Sequence, residues 1–466
     1  MAVHNHSSAL EFLLDRINYE RTTQIPYQSA EFHLDRMRDL AARLGDPQLR
    51  VPVVHVAGTK GKGSTASMIA GILQQAGYCT GLYTSPHLER IEERFAIDAA
   101  SCSAEELVEL ARRVEPVANS LDEEATSRGE AGPTFFEVTT AMAFLHFAAR
   151  PVDVAVLEVG LGGRLDSTNI CSPAVCVITS ISYDHTQQLG STLTAIAAEK
   201  AGILKPGVPA VSGAVDSEAS HTIQNIAQQI GAPLWLRERD FSATVLPQSD
   251  FAALAGPTIR YRDTLTSDGY EIGPLNVNLL GSHQAANAAT AIAAIRLLRL
   301  QGWQVSDVAV HRGLANVRCP ARVEVVRTQP TVVVDAAHNA ASAQALCDTL
   351  QTSTSAFSRR VLIFATSRDK DVAAMLQVLL PAFDDVILTR YVNNPRARTL
   401  DELLPLAAAQ RMQLPIEQRP TLHESPDPHQ AWQLAQSFVD RDALICITGS
   451  FFLAAELRAL IAEQSS

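Results

Sequence analysis

The eight residues Gly58-Thr59-Lys60-Gly61-Lys62-Gly63-Ser64-Thr65 constrain this chain more than any other stretch. They stand between a β-branched run, Val51 to Ala57, and a segment of helical pattern, Ser64 to Ala76, closed by Gly77. Glycines let a backbone turn with its N–H groups pointing inward, the helix amino end adds a partial positive charge, and Lys62 supplies a full one. Such a turn cradles phosphates. It departs from the strict G-x-x-x-x-G-K-[ST] pattern at two places, with Val56 where the first glycine would stand and Gly63 where the Ser or Thr would. The strand–turn–helix context favours a phosphate site over a turn that binds nothing.

The same alternation runs through most of the chain. Helical spacing marks residues 8 to 44, as in Leu10, Phe12, Leu13 and later Leu34, Met37, Leu40 and Leu44. Strands are then expected at Tyr78 to Thr84, Val152 to Val159 and Ala174 to Ile181, separated from their neighbours by helical or loop sequence such as Val138 to Ala149. Continuous apolar strands alternating with helices predict an α/β fold, a doubly wound and mostly parallel sheet covered on both faces. Residues 231 to 281 break the rhythm with Gly256-Pro257, Asp268-Gly269 and Gly273-Pro274, which predicts a β-hairpin insertion or small subdomain. Gly281 to Leu300 reads as an Ala-rich helix. After Arg312 the alternation restarts at Val323 to Val326, Thr331 to Val334, Val361 to Phe364, Val386 to Thr389 and Leu444 to Thr448. The expected organisation is a P-loop domain over 1–316, a linker over 317–321 and a smaller Rossmann-like α/β domain over 322–466. The length of 466 residues suits two or three domains.

Composition narrows the partners. The formal charge of -12 argues against polyanion binding by bulk electrostatics, so no nucleic acid is expected. Seven cysteines without a C-x-x-C pair suit a reducing cytosol. The amino terminus lacks the pattern of a secretory leader, and no apolar stretch reaches the roughly 20 residues that span a bilayer. A cytoplasmic protein that meets no membrane is expected.

Polar residues fall where strands end. Glu158 closes an apolar strand ahead of Val159-Gly160-Leu161-Gly162-Gly163-Arg164; a carboxylate there suits an Mg2+ ion near nucleotide phosphates, or a salt bridge to Arg164. Asp184-His185 follows the strand ending at Ile181, and Ser85-Pro86-His87 follows the strand ending at Thr84. Carboxyl ends of parallel strands form the ligand crevice of a doubly wound sheet, so these signals and Lys62 reinforce one another. Lys200, near the end of a helix, carries no message by itself beyond a solvated charge paired with Glu199. Asp335, before Ala336-Ala337-His338-Asn339, fits a nucleotide-ribose acceptor and a helix N-cap equally.

Taken together, these motifs resemble the folylpolyglutamate synthase and dihydrofolate synthase branch of the Mur ligases. The matching segments are HVAGTKGKGSTA (55–66), TSPHL (84–88), TFFE (134–137), LEVGLGGRLDSTN (157–169), SYDHTQQLG (182–190), EKAGI (199–203), GSHQAANAATA (281–291), PARVE (320–324), DAAHN (335–339), SRDKD (367–371) and ITGSFFLAAE (447–456). Two positions depart from the common form: Lys60 where many relatives carry Asn, and Ala336 where the usual DGAHN has Gly.

The resemblance implies an ATP-dependent amide ligase that activates a carboxylate as an acyl phosphate and adds L-glutamate to dihydropteroate, to a folate, or to both. It implies that the loop Gly58, Thr59, Lys60, Gly61, Lys62, Gly63, Ser64 and Thr65 holds ATP. Ser85, Glu158 and His185 would surround Mg2+, and Asn287, Arg322, Asp335 and His338 would contact the nucleotide, Arg322 and Asp335 from the second domain. Lys62, Lys200 and His185 take the catalytic roles, Lys200 as a carbamate that could hold a second Mg2+. A monomer handling small molecules is expected. The competing readings are a cell-wall Mur ligase, which would need a UDP-sugar site, and a nucleotide switch that forms no amide.

Overall fold

Apolar runs with no polar alternation become strands buried on both faces. In the computed structural model, which describes residues 3–20, 34–247, 254–351 and 357–464, β1 (Val53–Ala57) and β5 (Val154–Glu158) are buried at all five positions. They are the centre of an eight-stranded sheet that also holds β2 (Thr80–Tyr83), β3 (Phe95–Ile97), β4 (Ala100–Ser101), β6 (Pro173–Ile178), β7 (Ala210–Ser212) and β8 (Leu234–Leu236). The order is β4-β3-β2-β5-β1-β6-β7-β8. All pairs from β2 to β8 are parallel, and β3 and β4 add an antiparallel edge. Two apolar clusters flank this sheet. One includes Leu107, Phe135, Met142 and Phe147; the other includes Cys176, Ile196, Ile203 and Ile223.

The segment 231–281 differs from the expected insertion in two ways. Its start, Leu234–Leu236, is β8 of the main sheet. Its remainder forms a three-stranded antiparallel sheet of β9 (Phe241–Val245), β10 (Thr258–Asp263) and β11 (Tyr270–Asn276), rather than one hairpin. Burial alternates along β10, as a sheet with one wet face requires.

A second sheet comprises β12 (Glu324–Thr328), β13 (Thr331–Val334), β14 (Arg360–Phe364), β15 (Asp385–Leu388), β16 (Thr421–Glu424) and β17 (Leu444–Thr448), in the order β12-β13-β17-β14-β15-β16. Only β12 runs antiparallel to its neighbour. Its core gathers Val333, Leu362, Phe364, Leu376 and Cys446. The chain divides into two units: 1–246, 258–277 and 285–317 form one, and 247–257, 278–284 and 318–466 the other. Residues 254–257 and 278–284, inside the 1–316 span assigned to the first domain from sequence, therefore group with the second. No helix among the described residues is long and apolar enough to cross a membrane.

The helix that follows the phosphate loop, Lys62–Gln75, is fixed along its length by a close backbone approach. A Cβ on Gly313, in the helix Asp307–Asn316, would lie 2.5 Å from Ile72 Cα and 2.7 Å from Ile72 N. Backbone atoms cannot swing aside as a side-chain tip can. Gly313→Ala would gain up to about 1 kcal/mol in helix propensity, but overpacking typically costs about 1–3 kcal/mol, and here it wins. Urea unfolding of Gly313→Ala should show a net loss of stability; a midpoint at or above wild type would show the two helices free to part.

Candidate active site

Two glycines make the phosphate loop. Gly58 has φ +149° and Gly61 φ +81°, regions that L side chains rarely adopt. A Cβ on Gly58 would overlap Thr179 Oγ1, and one on Gly61 would overlap Asn287 Oδ1. The loop is held from β6's carboxyl end: Thr179 Oγ1 and Ser180 Oγ donate to Lys60 O at 2.8 and 3.1 Å, and Thr59 N donates to Ser180 O at 2.7 Å. The helix starts at Lys62, two residues before the sequence boundary, and no side chain caps it. Its first-turn N–H groups and dipole are thus directed to the loop, where an anion is stabilised. Thr65 Oγ1, buried one turn in, has no partner among the described residues.

The sheet order brings the remaining signals to one edge. Strands β2, β5, β1 and β6 are adjacent and parallel, about 4.8 Å apart, and their carboxyl ends carry in turn Ser85, Glu158, the phosphate loop and the segment with His185. Glu158 is buried, and its Oε2 accepts from Ser85 N at 3.2 Å. Both of its carboxylate oxygens lie 3.5 Å from where a Cβ on Gly63 would stand, which puts the carboxylate over the first turn of the loop's helix. Arg164, the alternative partner for Glu158, forms its ion pair with Glu199 at 2.8 Å. His185 has φ +49° and takes its backbone hydrogen bond from N to Asp184 Oδ1, with its side chain half-exposed.

These oxygens fit a hard cation. Among the described residues no three His, Cys, Asp or Glu side chains gather into a metal cage. Mg2+ needs none, since one or two carboxylates and substrate phosphates commonly hold it. Glu158 beside Ser85, facing the start of a helix, is such a partial set.

Lys200 overturns the bland expectation of a solvated lysine. It is 4% exposed, near the end of the helix Leu193–Ala201, while Glu199 turns to Arg164. Burial lowers its pKa to about 7; Lys62 pushes the same way, and Asp184, Asp166 and Glu199 oppose. Burial likewise lowers the pKa of Lys60, against the opposing charge of Asp184. With Glu199 taken up by Arg164, the three lysines stand among Glu158, Asp166 and Asp184, so this edge is near charge balance although the whole chain carries -12.

Asn287 lies against Gly61, in the helix His283–Leu300. The other nucleotide candidates sit in the second unit. Asp335 follows β13 and is buried; its Oδ2 accepts from Val323 N at 2.9 Å and its Oδ1 from Ala337 N at 2.8 Å. It is not the N-cap of the next helix, Ala340–Gln351, because Asn339 Oδ1 receives Ser342 N there. Arg322 is flanked by Ala321 at φ +53° and Val323 at φ +49°, and His338 Nδ1 is 3.0 Å from Ala336 O.

Sequence reasoning missed Thr179 and Ser180, although their place right after an apolar strand was a signal, and Asp166, which accepts from Gly160 N and Leu161 N at 3.0 Å each. Phe136 of the TFFE motif has its ring 2.6 Å from where a Cβ on Gly160 would stand and its centroid 6.1 Å from that of the buried Tyr83.

Comparison with known proteins adds to this geometry. Residues 56–295 match the Mur ligase middle domain family and residues 321–451 the Mur ligase, glutamate ligase domain family. The chain is 34% identical over 430 residues to the dihydrofolate synthase/folylpolyglutamate synthase of Bacillus subtilis, covering 91% of this chain and 94% of that protein. It is 39% identical over 392 residues to the protein of the same name from Mycobacterium tuberculosis, covering 81% and 78%. Among solved structures it is similar to Escherichia coli FolC in complex with DHPP and ADP, with TM-score 0.82 at 30% identity over all of both chains. The Mycobacterium tuberculosis folylpolyglutamate synthase complexed with ADP and AMPPCP gives TM-score 0.84 at 32% identity, over 98% of this chain and 99% of that one. The chain therefore belongs to the Mur ligases, in their folylpolyglutamate synthase/dihydrofolate synthase family.

Proposed function

We propose that this chain is an ATP-dependent ligase that joins the amino group of L-glutamate to a carboxylate of dihydropteroate, of a folate, or of both. The observation that carries the reading is the Glu158 carboxylate lying over the helix start of the Gly58–Thr65 loop, in a chain of this family. The reading includes a monomer that works on small molecules, and a place in the cytoplasm, which the seven free cysteines, five of them buried, support.

A carboxylate does not react with an amine at neutral pH, because oxide would have to leave. In the proposed reaction a carboxylate oxygen of the pterin substrate attacks the γ-phosphorus of ATP and ADP departs. The glutamate amine then attacks the carbonyl carbon, the C–O bond to phosphate breaks, and the amine gives up a proton. The protein aligns these groups and neutralises charge. Lys62 and the first-turn N–H groups hold the phosphates, with Lys60 as a second cation beside them and Asn287 against Gly61. Ser85, Glu158 and His185 would hold Mg2+, which would supply charge neutralisation for the phosphates. Arg322, Asp335 and His338 take the nucleotide's remaining contacts.

Lys200 acts in this scheme as a carbamate. Only the neutral amine reacts with carbon dioxide, and a pKa of about 7 leaves roughly a thousand times more amine at pH 7 than an ordinary lysine has. Lysine gives up its ammonium here because it is buried beside Lys62; a carbamate would exchange that repulsion for attraction and offer two oxygens to a second Mg2+.

Three outcomes test the reading. ADP release should require both L-glutamate and a pterin carboxylate, and parallel assays with dihydropteroate and tetrahydrofolate decide which acceptor is used; ADP release with neither present would favour a nucleotide switch. Lys62→Ala should lower kcat by at least 10²-fold, the scale of one lost charge-stabilising group, with circular dichroism unchanged; near-wild-type turnover would remove the loop from the chemistry. Lys200→Ala should lose nearly all activity and recover part with added short-chain carboxylates. Full activity of that variant without additive would make Lys200 a mere structural residue.

A further inference from the structure

His55 lies in the middle of β1, three residues before Gly58, and is fully buried. Burial, with Lys205 adding to it, drives the pKa of the imidazole down to about 3, so the ring is neutral. An apolar side chain would occupy this central-strand position without a polar group to satisfy. The ring has one partner: its Nε2 is 2.8 Å from Thr168 Oγ1. Thr168's single hydroxyl proton is donated to Asp166 Oδ1, so His55 must carry its own proton on Nε2 and donate it. Its Nδ1 is left a buried lone pair without a partner among the described residues.

The chain of donors ends on a buried carboxylate whose other contacts are all backbone. Asp166 Oδ1 also accepts from Thr168 N, and Oδ2 accepts from Gly160 N and Leu161 N, each at 3.0 Å. Gly160 is two residues beyond Glu158. The far side of the same loop reaches the Lys200 helix. Arg164 N donates to Glu199 O at 2.8 Å, Asn169 Nδ2 donates to both Arg164 O and Gly202 O at 3.0 Å, and a Cβ on Gly163 would stand 3.0 Å from Lys200 O. Residues 160–169 are thus a bridge between the strand end that bears Glu158 and the helix that bears Lys200. His55 fastens that bridge to the central strand.

We propose that His55 is a positioning residue for the ligase reaction, which through Thr168 and Asp166 fixes the 160–169 loop and with it the Glu158 carboxylate and the Lys200 side chain. The proposal rests on the assignment of Glu158 and Lys200 given above. Groups that orient metal ligands from behind commonly cost 10- to 100-fold in metal affinity or activity when removed, and the His55–Thr168–Asp166 chain has that place.

The test removes the middle hydroxyl at constant volume. Thr168→Val should raise the dissociation constant for Mn2+, read by electron spin resonance with AMPPCP present, by about tenfold or more, and should raise the Mg2+ concentration for half-maximal turnover in step. Thr168→Ser, which keeps the hydroxyl, should restore both to near wild type. A Thr168→Val protein that melts earlier but binds Mn2+ as wild type does would overturn the proposal, since that is what a purely structural hydrogen bond predicts. Nitrogen-15 NMR of histidine-labelled wild type gives a second reading that needs no variant: His55 should show the Nε2–H tautomer and no titration from pH 6 to 9. An Nδ1–H tautomer would break the donor chain and overturn the proposal. A wild type with normal Mn2+ binding but no glutamate-dependent turnover would instead remove the ligase reading, and this proposal with it.

Discussion

The close approach of two strand-end loops is the constraint on which the rest of this site depends. Gly58 and Thr179 follow adjacent parallel strands, and the Thr179 hydroxyl occupies the space where any side chain at 58 would go. Because that hydroxyl also holds the carbonyl of Lys60, the loop cannot drift from β6. The helix that follows must then begin at Lys62, with its uncapped end facing the crevice. Its direction is set at the other end by Gly313 pressed on Ile72. A phosphate cradle is therefore built by what two glycines lack as much as by what a lysine supplies.

The electrostatics of the edge follow from that geometry. Lys60, Lys62 and Lys200 converge on an edge where burial penalises charge, and two of them respond with lowered pKa values. Asp184 is the carboxylate that opposes the shift at both. Asp166 and Glu199 oppose it at Lys200 as well, so the three cations are met locally by about as many carboxylates, and a polyphosphate meets an edge without the chain's excess of negative charge. A protein of net charge -12 can in this way hold an anionic nucleotide: the local balance decides, because charges beyond about 8–10 Å are screened at ordinary salt.

How much of this could be read from the sequence depended on the range of the interactions. Long apolar runs such as Val154–Glu158 and Leu444–Thr448 announced themselves, since burial on both faces leaves no polar position. Short or polar strands did not: Thr421–Glu424 has no fully buried residue, and Ala210–Ser212 has three residues in all. Leu234–Leu236 was hidden by the polar sequence after it. The strand-end residues were legible one by one because a carboxylate or histidine after an apolar run is conspicuous. The burial of Lys200 was not, for EKA within an Ala-rich helix carries no mark of which face turns inward. Contacts between residues more than a hundred positions apart, such as His55 with Thr168 or Lys60 with Thr179, have no local pattern at all.

The second unit shows the same economy with a different device. Arg322 stands between two residues held at positive φ, one of them the β-branched Val323, a conformation that costs of order 1–3 kcal/mol per residue. Buried hydrogen bonds offset it. Asp335 takes Val323 N, Ala336 N reaches Ala321 O, and Glu324 Oε2 takes Ala321 N. Asp335 thereby has a structural duty that neither of its expected roles foresaw: its carboxylate secures the turn that presents Arg322. A turn that had only to connect β12 to what precedes it would relax. One that is held strained by a buried carboxylate fixes the direction of the residue at its apex, and the residue at this apex is an arginine, whose rigid planar fork rewards a fixed direction.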